Sequence, residues 1–267
     1  IIVVDNTGPG ITCPANITIS CTASTLPAST GNATATDNCF ALALVTYNDV
    51  ITNSSCVNEY TISRTWTASD ECGHFSTCVQ TIVVDDNVGP VMTCPANITI
   101  TCTANTLPAA TGNATATDNC SGVPVIIFAD VTTASPTCSQ EYTITRTWTA
   151  TDICSNISTC VQTITIDDST APSLVCPGNI TIDCTASTLP ENTDSATSSD
   201  NCDTEPVVTY TDLTTSSSTC AQEYTITRTW LSTDDCGNTS TCNQVITIDD
   251  SSPPLMTCPA SVTIECS

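Results

Sequence analysis

EYTITRTWTATDICSNISTC, residues 141–160, decides how the chain is read. Tyr142, Ile144, Arg146 and Trp148 share one parity, and Thr143, Thr145, Thr147 and Thr149 the other. A two-residue period of this kind marks a β-strand with one buried face. The run ends in an acidic turn at Asp152, and a second alternating run, VQTITI, follows Cys160. The stretch therefore predicts a hairpin. The same string stands at 59–78 as EYTISRTWTASDECGHFSTC and at 223–242 as EYTITRTWLSTDDCGNTSTC, displaced by 82 residues each way.

A fixed period of this length signals an array of small units. CPANIT begins at Cys13 and again at Cys94, CPGNIT at Cys176 and CPASVT at Cys258. Residues 1–9, IIVVDNTGP, match 82–90, IVVDDNVGP. The expected organisation is a window cut from a longer array. Residues 1–10 close a preceding repeat, 11–86, 91–168 and 173–250 are complete repeats, and 255–267 open another. Within 91–168 the alternation and turn residues predict strands at 92–102, 113–118, 123–131, 141–151 and 157–166. The run VPVIIFADV at 123–131 is apolar enough to be expected as a central strand. No segment carries helical periodicity. The pattern predicts an all-β chain of tandem immunoglobulin-like β-sandwich domains. The linkers DDNVGPV, DDSTAPS and DDSSPPL are short and contain proline, hence stiff. The sandwiches are expected to stack end to end as a rod, with neighbouring repeats of the same chain as each other's partners.

The charge balance narrows the function. Twenty-seven acidic residues stand against three basic ones, a formal charge of −24. Nucleic acid is excluded as a partner, because phosphate binding needs Lys and Arg. Anionic lipid is disfavoured for the same reason, and no run reaches the ~20 apolar residues of a membrane helix. So acidic a surface either repels itself or carries cations. Twenty cysteines place the chain in an oxidising, extracellular or cell-surface setting. Zinc is not expected, since there is one histidine, His74, and no C-x-x-C pair. Nor is catalysis: the chain has no lysine, no glycine-rich loop and no nucleophile beside a base.

Six cysteines per repeat allow fifteen pairings. Cys94 and Cys102 lie eight residues apart on one extended strand, about 26 Å, and must bond elsewhere. In an immunoglobulin-like topology the start of the first strand meets the start of the last one, giving Cys94–Cys160. Cys120 and Cys154 sit in turns at the pole where the repeat is entered, and Cys102 and Cys138 at the pole where it is left. Closing each repeat on itself predicts Cys120–Cys154 and Cys102–Cys138. The equivalents are Cys13–Cys78, Cys21–Cys56 and Cys39–Cys72, then Cys176–Cys242, Cys184–Cys220 and Cys202–Cys236. Cys258 and Cys266 are expected to lack partners.

The acidic turns are candidate Ca²⁺ ligands. Asp85 and Asp86 are expected to face Asp118, Asn119 and Asp152, and Asp167 and Asp168 to face Asp200, Asn201 and Asp234. Calcium takes 6–8 oxygens from such groups, while Asp and Asn also form turns with no metal. The lone basic residue of each repeat needs an acid on its core-facing parity. Arg64 with Asp49, Arg146 with Asp130 and Arg228 with Asp212 are the expected structural ion pairs, each guanidinium stacked on the tryptophan two residues on. N-x-S/T sequons stand at Asn16, Asn32, Asn53, Asn97, Asn113, Asn156, Asn179 and Asn238.

The strings TCPANITITC, TATDNC, EYTITRTWTATD-x-C and STCVQTITI, with the DD-x-x-x-P linker, resemble the tandem repeats of giant cell-surface adhesins of the Bacteroidota, including SprB-type gliding adhesins. More distantly they are similar to the hyalin repeat, an immunoglobulin-like module. The resemblance covers essentially the whole chain. It implies export to the cell surface by the type 9 secretion system and a stalk or filament role in adhesion or gliding, with the surface or glycan ligand bound elsewhere in the full protein. Unit two has Ser155 where the D-x-C-G turn carries glycine. Two other readings stand beside this one. One is a direct carbohydrate- or ice-binding module. The other is a subunit that assembles with other copies into a filament, which exposed apolar edge strands would mark.

Overall fold

The computed structural model describes residues 4–39, 43–54, 56–120, 122–218, 220 and 222–264. In the first repeat the strands are β1 (Gly10–Thr12), β2 (Ile17–Ser20), β3 (Thr34–Thr36), β4 (Leu44–Asn53), β5 (Tyr60–Ser69) and β6 (Phe75–Asp85), with one helical turn α1 (Pro27–Thr30). The hairpin β5–β6 is the centre of a four-stranded sheet ordered β2-β6-β5-β4, and β1 pairs with β3 in a second, two-stranded sheet. β5 and β6 run antiparallel with Ile62 opposite Ile82, Arg64 opposite Gln80 and Trp66 opposite Cys78. β2 adds to β6 in parallel, Ile17 opposite Ile82 and Ser20 opposite Asp85.

The parity of the opening stretch sets this layer. Ile62, Arg64, Trp66 and Ala68 of β5 and Gln80, Ile82 and Val84 of β6 are buried, while Ser63, Thr65, Thr67, Thr81 and Val83 between them are only half-buried. Each fully buried Ile or Val contributes about 1.5–3 kcal/mol. There are few of them per repeat, so cross-links carry an unusual share of the stability.

The second repeat places β7 (Val91–Thr93), β8 (Ile98–Thr101), α2 (Pro108–Thr111), β9 (Thr115–Thr117), β10 (Val125–Ala134), β11 (Tyr142–Thr151) and β12 (Ile157–Asp167) in the same strand order. The third follows with β13 (Ser173–Val175), β14 (Ile180–Asp183), α3 (Pro190–Thr193), β15 (Thr197–Ser199), β16 (Val207–Ser216), β17 (Tyr224–Thr233) and β18 (Thr239–Asp249). By packing the chain divides into two compact units: Ile1–Ile98, Thr106–Val131 and Thr145–Ile164 form one, and Thr99–Asn105, Thr132–Ile144 and Thr165–Ser267 the other. The first unit therefore contains the junction of the first and second repeats, and the second unit that of the second and third.

Three local expectations are corrected. The single strand expected over 92–102 is broken into β7 and β8, which belong to different sheets. Pro95 cannot donate a ladder hydrogen bond, and the Asn97 side chain accepts the Thr163 backbone N–H at 2.8 Å, fixing the crossing point. The apolar run at 123–131 is an edge strand, not a central one. Its apolar side chains Val125, Ile127 and Val131 are exposed. The four-residue turns α1, α2 and α3, each starting at a proline, are too short to show a period in sequence.

Candidate functional site

Each repeat is pinned from inside by its one arginine. Arg64 is 1% exposed and grips Asp49 with two parallel bonds of 2.8 Å. It also donates to the Thr30 hydroxyl at 2.9 Å and to the Thr25 carbonyl at 2.7 Å. Arg146 binds Asp130, and Arg228 binds Asp212, in the same way. The hydrogen bond to Asp49 holds the Arg64 guanidinium more firmly protonated than usual, outweighing its burial. The closer aromatic is not the expected tryptophan. Tyr47 lies 4.5 Å from the guanidinium and Trp66 5.8 Å, because β4 packs its aromatic across the pair. All three basic residues are thus spent in cores, and none is left to neutralise the acidic poles.

Cys13–Cys78, Cys94–Cys160 and Cys176–Cys242 close their own repeats. The other observed bridges cross between repeats: Cys21–Cys120 and Cys56–Cys154 in the first unit, Cys102–Cys202 and Cys138–Cys236 in the second. This corrects the expected Cys21–Cys56, Cys102–Cys138, Cys120–Cys154 and Cys202–Cys236. Cys39, Cys72, Cys184 and Cys220 are unbridged, so Cys39–Cys72 and Cys184–Cys220 are corrected too. Cys258 is free, and Cys266 lies outside the described residues. The junction cysteines lie at the poles that the strand directions require, but the linker sets the next repeat's turns against the exit pole, so they pair across the junction and not within a repeat. Cα separations of 5.6 Å for Cys21–Cys120 and 5.1 Å for Cys56–Cys154 meet the demand of a disulfide across the junction.

The junctions repeat the same local chemistry. Cys21 follows β2 and donates its N–H to the Asp85 carbonyl. Cys56 lies in the β4–β5 loop, its carbonyl accepting the Glu59 N–H. On the other side, the Asp118 carboxylate accepts the Cys120 N–H at 2.9 Å, and that of Asp152 accepts the Cys154 N–H at 2.9 Å. The Asn119 amide donates to both sulfurs of its bridge, Cys120 at 2.9 Å and Cys21 at 3.5 Å. Asn201 does the same for Cys202 and Cys102. Asn156 reaches across to the Asp86 carbonyl at 2.8 Å, as Asn238 does to Asp168. Sequons Asn156 and Asn238 are therefore spent on the junction, and Asn16, Asn97 and Asn179 on the last strand of their repeats. His74 occupies the position of Asn156 in the first repeat and pairs with Asp70 at 3.1 Å.

Among the expected metal ligands, Asp86 and Asp118 are those the structure leaves with oxygen to offer. Asp86 is 3% exposed and its Oδ2 is buried with no hydrogen-bond partner, as is Oδ2 of Asp118. Asp168 and Asp200 repeat the arrangement. Burial, then the carboxylates of Asp118, Asp152 and Glu59, push Asp86 above the usual carboxylate range. Burial, then Asp200, Asp234 and Glu141, do so for Asp168. Asp200 is held below its ordinary value: burial is outweighed by the N–H groups of Asp203, Cys202 and Asn201. Asp152 gives both oxygens to its own turn, to Cys154, Asn156 and the Asn156 amide. Asp234 does likewise. Asp85 and Asp167 lie on the opposite parity of the strand from the buried Asp86 and Asp168. Asn119 and Asn201 serve the bridges. The expected ligands with a buried, unpartnered oxygen that could serve an oxygen-seeking divalent cation such as Ca²⁺ or Mg²⁺ are thus Asp86 and Asp118, and Asp168 and Asp200. The cysteine sulfurs beside Asp86, those of Cys21 and Cys120, are bridged and cannot act as thiolate ligands.

No protein-family model and no curated protein matches the chain. Among solved structures it is similar to the protocadherin gammaB4 extracellular domain, at 14% identity and a TM-score of 0.32, over 92% of this chain and 49% of that one. It is also similar to repeats EC22–24 of mouse cadherin-23, at 12% identity and a TM-score of 0.32, over 92% of this chain and all of that one. The chain thus spans about half the length of the protocadherin.

Proposed function

We propose that the chain is a tension-carrying segment of an extracellular adhesin, spacing a binding element from a cell surface. The observation that carries this is the covalent route through the repeats. Pulled from its ends, the backbone is short-circuited at Cys13–Cys78, Cys94–Cys160 and Cys176–Cys242. Between successive bridges only the 16 residues from Cys78 to Cys94, or from Cys160 to Cys176, bear load as polypeptide. At about 3.5 Å per residue that is about 55 Å of chain. Without the bridge, the 82 residues of a repeat would pay out about 290 Å. Two more disulfides cross each junction beside that path.

An oxidising exterior is where such bridges persist. The repeat strings resemble adhesin stalks, and this supports a role in adhesion or gliding with export by the type 9 system. In this reading the junctions hold Ca²⁺ at Asp86 with Asp118 and at Asp168 with Asp200, in place of the basic residues the poles lack. When bound, the ion would supply positive charge to a cluster of carboxylates that otherwise repel one another.

Single-molecule force extension tests the tether. The oxidised chain should show no lengthening step above about 60 Å per repeat, and the reduced chain steps of about 200–290 Å. Long steps in the oxidised chain would remove the reading. Thermal melts without reductant test the cation: millimolar Ca²⁺ should raise the midpoint relative to chelator, and coincident melts would discard the ion while leaving the tether. A second reading, lateral assembly into filaments, is favoured by the exposed apolar edge strands β4, β10 and β16.

A further inference from the structure

Four unbridged cysteines occupy positions that are bridged elsewhere in the same chain. Cys39 and Cys72 stand in the first repeat where Cys120 and Cys154 stand in the second and Cys202 and Cys236 in the third. Cys184 and Cys220 stand in the third where Cys21 and Cys56, and Cys102 and Cys138, stand in the first and second. Each is already held as its bridged counterparts are. Cys39 donates its N–H to Asp37 at 2.8 Å, as Cys120 does to Asp118 and Cys202 to Asp200. Asp70 accepts the His74 N–H at 2.9 Å in the turn around Cys72, as Asp152 and Asp234 accept from Asn156 and Asn238. Cys184 donates to the Asp249 carbonyl at 3.2 Å, as Cys21 does to that of Asp85 at 3.1 Å. The Cys220 carbonyl accepts the Glu223 N–H at 3.2 Å, as that of Cys138 accepts from Glu141 at 3.3 Å.

The surroundings tell the same story. Asn119 and Asn201 each donate to both sulfurs of a closed bridge, whereas Asn38 donates to one sulfur, that of Cys39 at 3.5 Å. Asp86 and Asp168 are buried at closed junctions, and Asp250, their counterpart after the third repeat, is exposed. Cys39 and Cys72 are exposed where Cys120 and Cys154 are half-buried, and Cys220 is half-buried where Cys56 and Cys138 are buried.

We propose that the Cys39/Cys72 pole and the Cys184/Cys220 pole are the two open halves of the coupling seen closed at the internal junctions. The partner of each is the opposite pole of another repeat of this same sequence type. Cys184 bonds a thiol of the Cys39 kind and Cys220 one of the Cys72 kind. Each bridge forms by exchange with an external disulfide of the oxidised-glutathione class. A cysteine thiolate attacks one glutathione sulfur and breaks that bond, leaving a mixed disulfide and one reduced glutathione. The partner thiolate then displaces the second glutathione. Per bridge, two thiols are oxidised and one glutathione disulfide is reduced, its two thiols carrying away the two protons.

The test uses a second copy of this chain as the partner, in a Cys258→Ser, Cys266→Ser background that removes the two remaining thiols. Incubated with oxidised and reduced glutathione, this protein should give a non-reducing gel ladder in multiples of 27.7 kDa. Peptide mapping should find Cys39–Cys184 and Cys72–Cys220. Cys39→Ser with Cys72→Ser should abolish the ladder, as should Cys184→Ser with Cys220→Ser. A mixture of the two variants should stop at a dimer, because each has one usable pole. Because mapping is also done on the protein with all four thiols, the result does not depend on how the serine variants fold. The proposal is overturned by a monomer with Cys39–Cys72 or Cys184–Cys220 closed, by thiols left free, by links between like poles, or by a ladder that survives the substitutions. The coupling deepens the tether reading, but the two fail separately. A chain that polymerises as described yet lengthens in long steps when oxidised would keep the coupling and lose the tether.

Discussion

Ser155 holds a left-handed backbone, φ 74°, at the place where the other two repeats have Gly73 and Gly237 at φ 89° and 88°. The turn is set by Asp152, which accepts the N–H groups of Cys154 and Asn156, and it keeps its form despite the side chain. A Cβ in this region costs about 1–2 kcal/mol. Ser155→Gly should therefore stabilise the protein by about 1 kcal/mol, read as a higher urea midpoint with unchanged slope. The thiol of Cys184 gives a second residue-scale expectation. Partial burial, then the Asp250 and Asp183 carboxylates, push it above the ordinary thiol range. Since the thiolate is the nucleophile, alkylation of Cys184 in the native chain should reach half its maximal rate at a higher pH than in the urea-unfolded chain. Asp250→Asn should bring the two profiles closer, and a native profile at or below the unfolded one would contradict the assignment. A raised native value favours the folded state below the unfolded thiol's pKa, and that contribution is lost as pH rises through the native one.

At the scale of elements, what could be read from sequence and what could not divide along one physical line. The hairpins announced themselves, because a period of two in Ile62, Arg64 and Trp66 is imposed by one buried face. The Arg–Asp pairs followed from the need to neutralise a charge on that face. The rank of β10 did not follow: VIIF is apolar whether a strand is central or at an edge, and pairing is decided by partners distant in sequence. The cross-repeat bridges were hidden for a related reason. Spacing and strand direction located both poles, but nothing local says whether a thiol at a pole looks inward or to the next repeat. β10 leaves a testable liability. It is a ten-residue edge with Ile127 62% and Val131 64% exposed. Such an edge is a template for pairing, opposed here by net charge. Raising NaCl from 20 to 500 mM should increase the weight-average mass in sedimentation, and Ile127→Lys with Val131→Lys should suppress the increase. A salt-independent mass would show that the edge is not restrained by charge.

For the whole molecule, the charge of −24 bears on how long the bridges last. Glu59 stands at the Cys56–Cys154 bridge, Glu141 at Cys138–Cys236, and Asp86 at Cys21–Cys120. A reductant must approach as a thiolate, and an anionic one such as glutathione enters a field of carboxylates with no Lys or Arg outside the cores to offset it. The Debye length shortens from about 8 Å at physiological ionic strength to about 3 Å at 1 M. Reduction of the junction bridges by glutathione should therefore accelerate several-fold between 50 mM and 1 M NaCl. Reduction by dithiothreitol, with one negative charge fewer in its attacking form, should change less. Mass-resolved thiol labelling over time separates the junction bridges from Cys13–Cys78 and its counterparts. If glutathione and dithiothreitol respond alike to salt, burial rather than charge protects the bridges. If the junction bridges respond more to salt than those inside the repeats, the acidity of the poles protects the links through which successive repeats are joined.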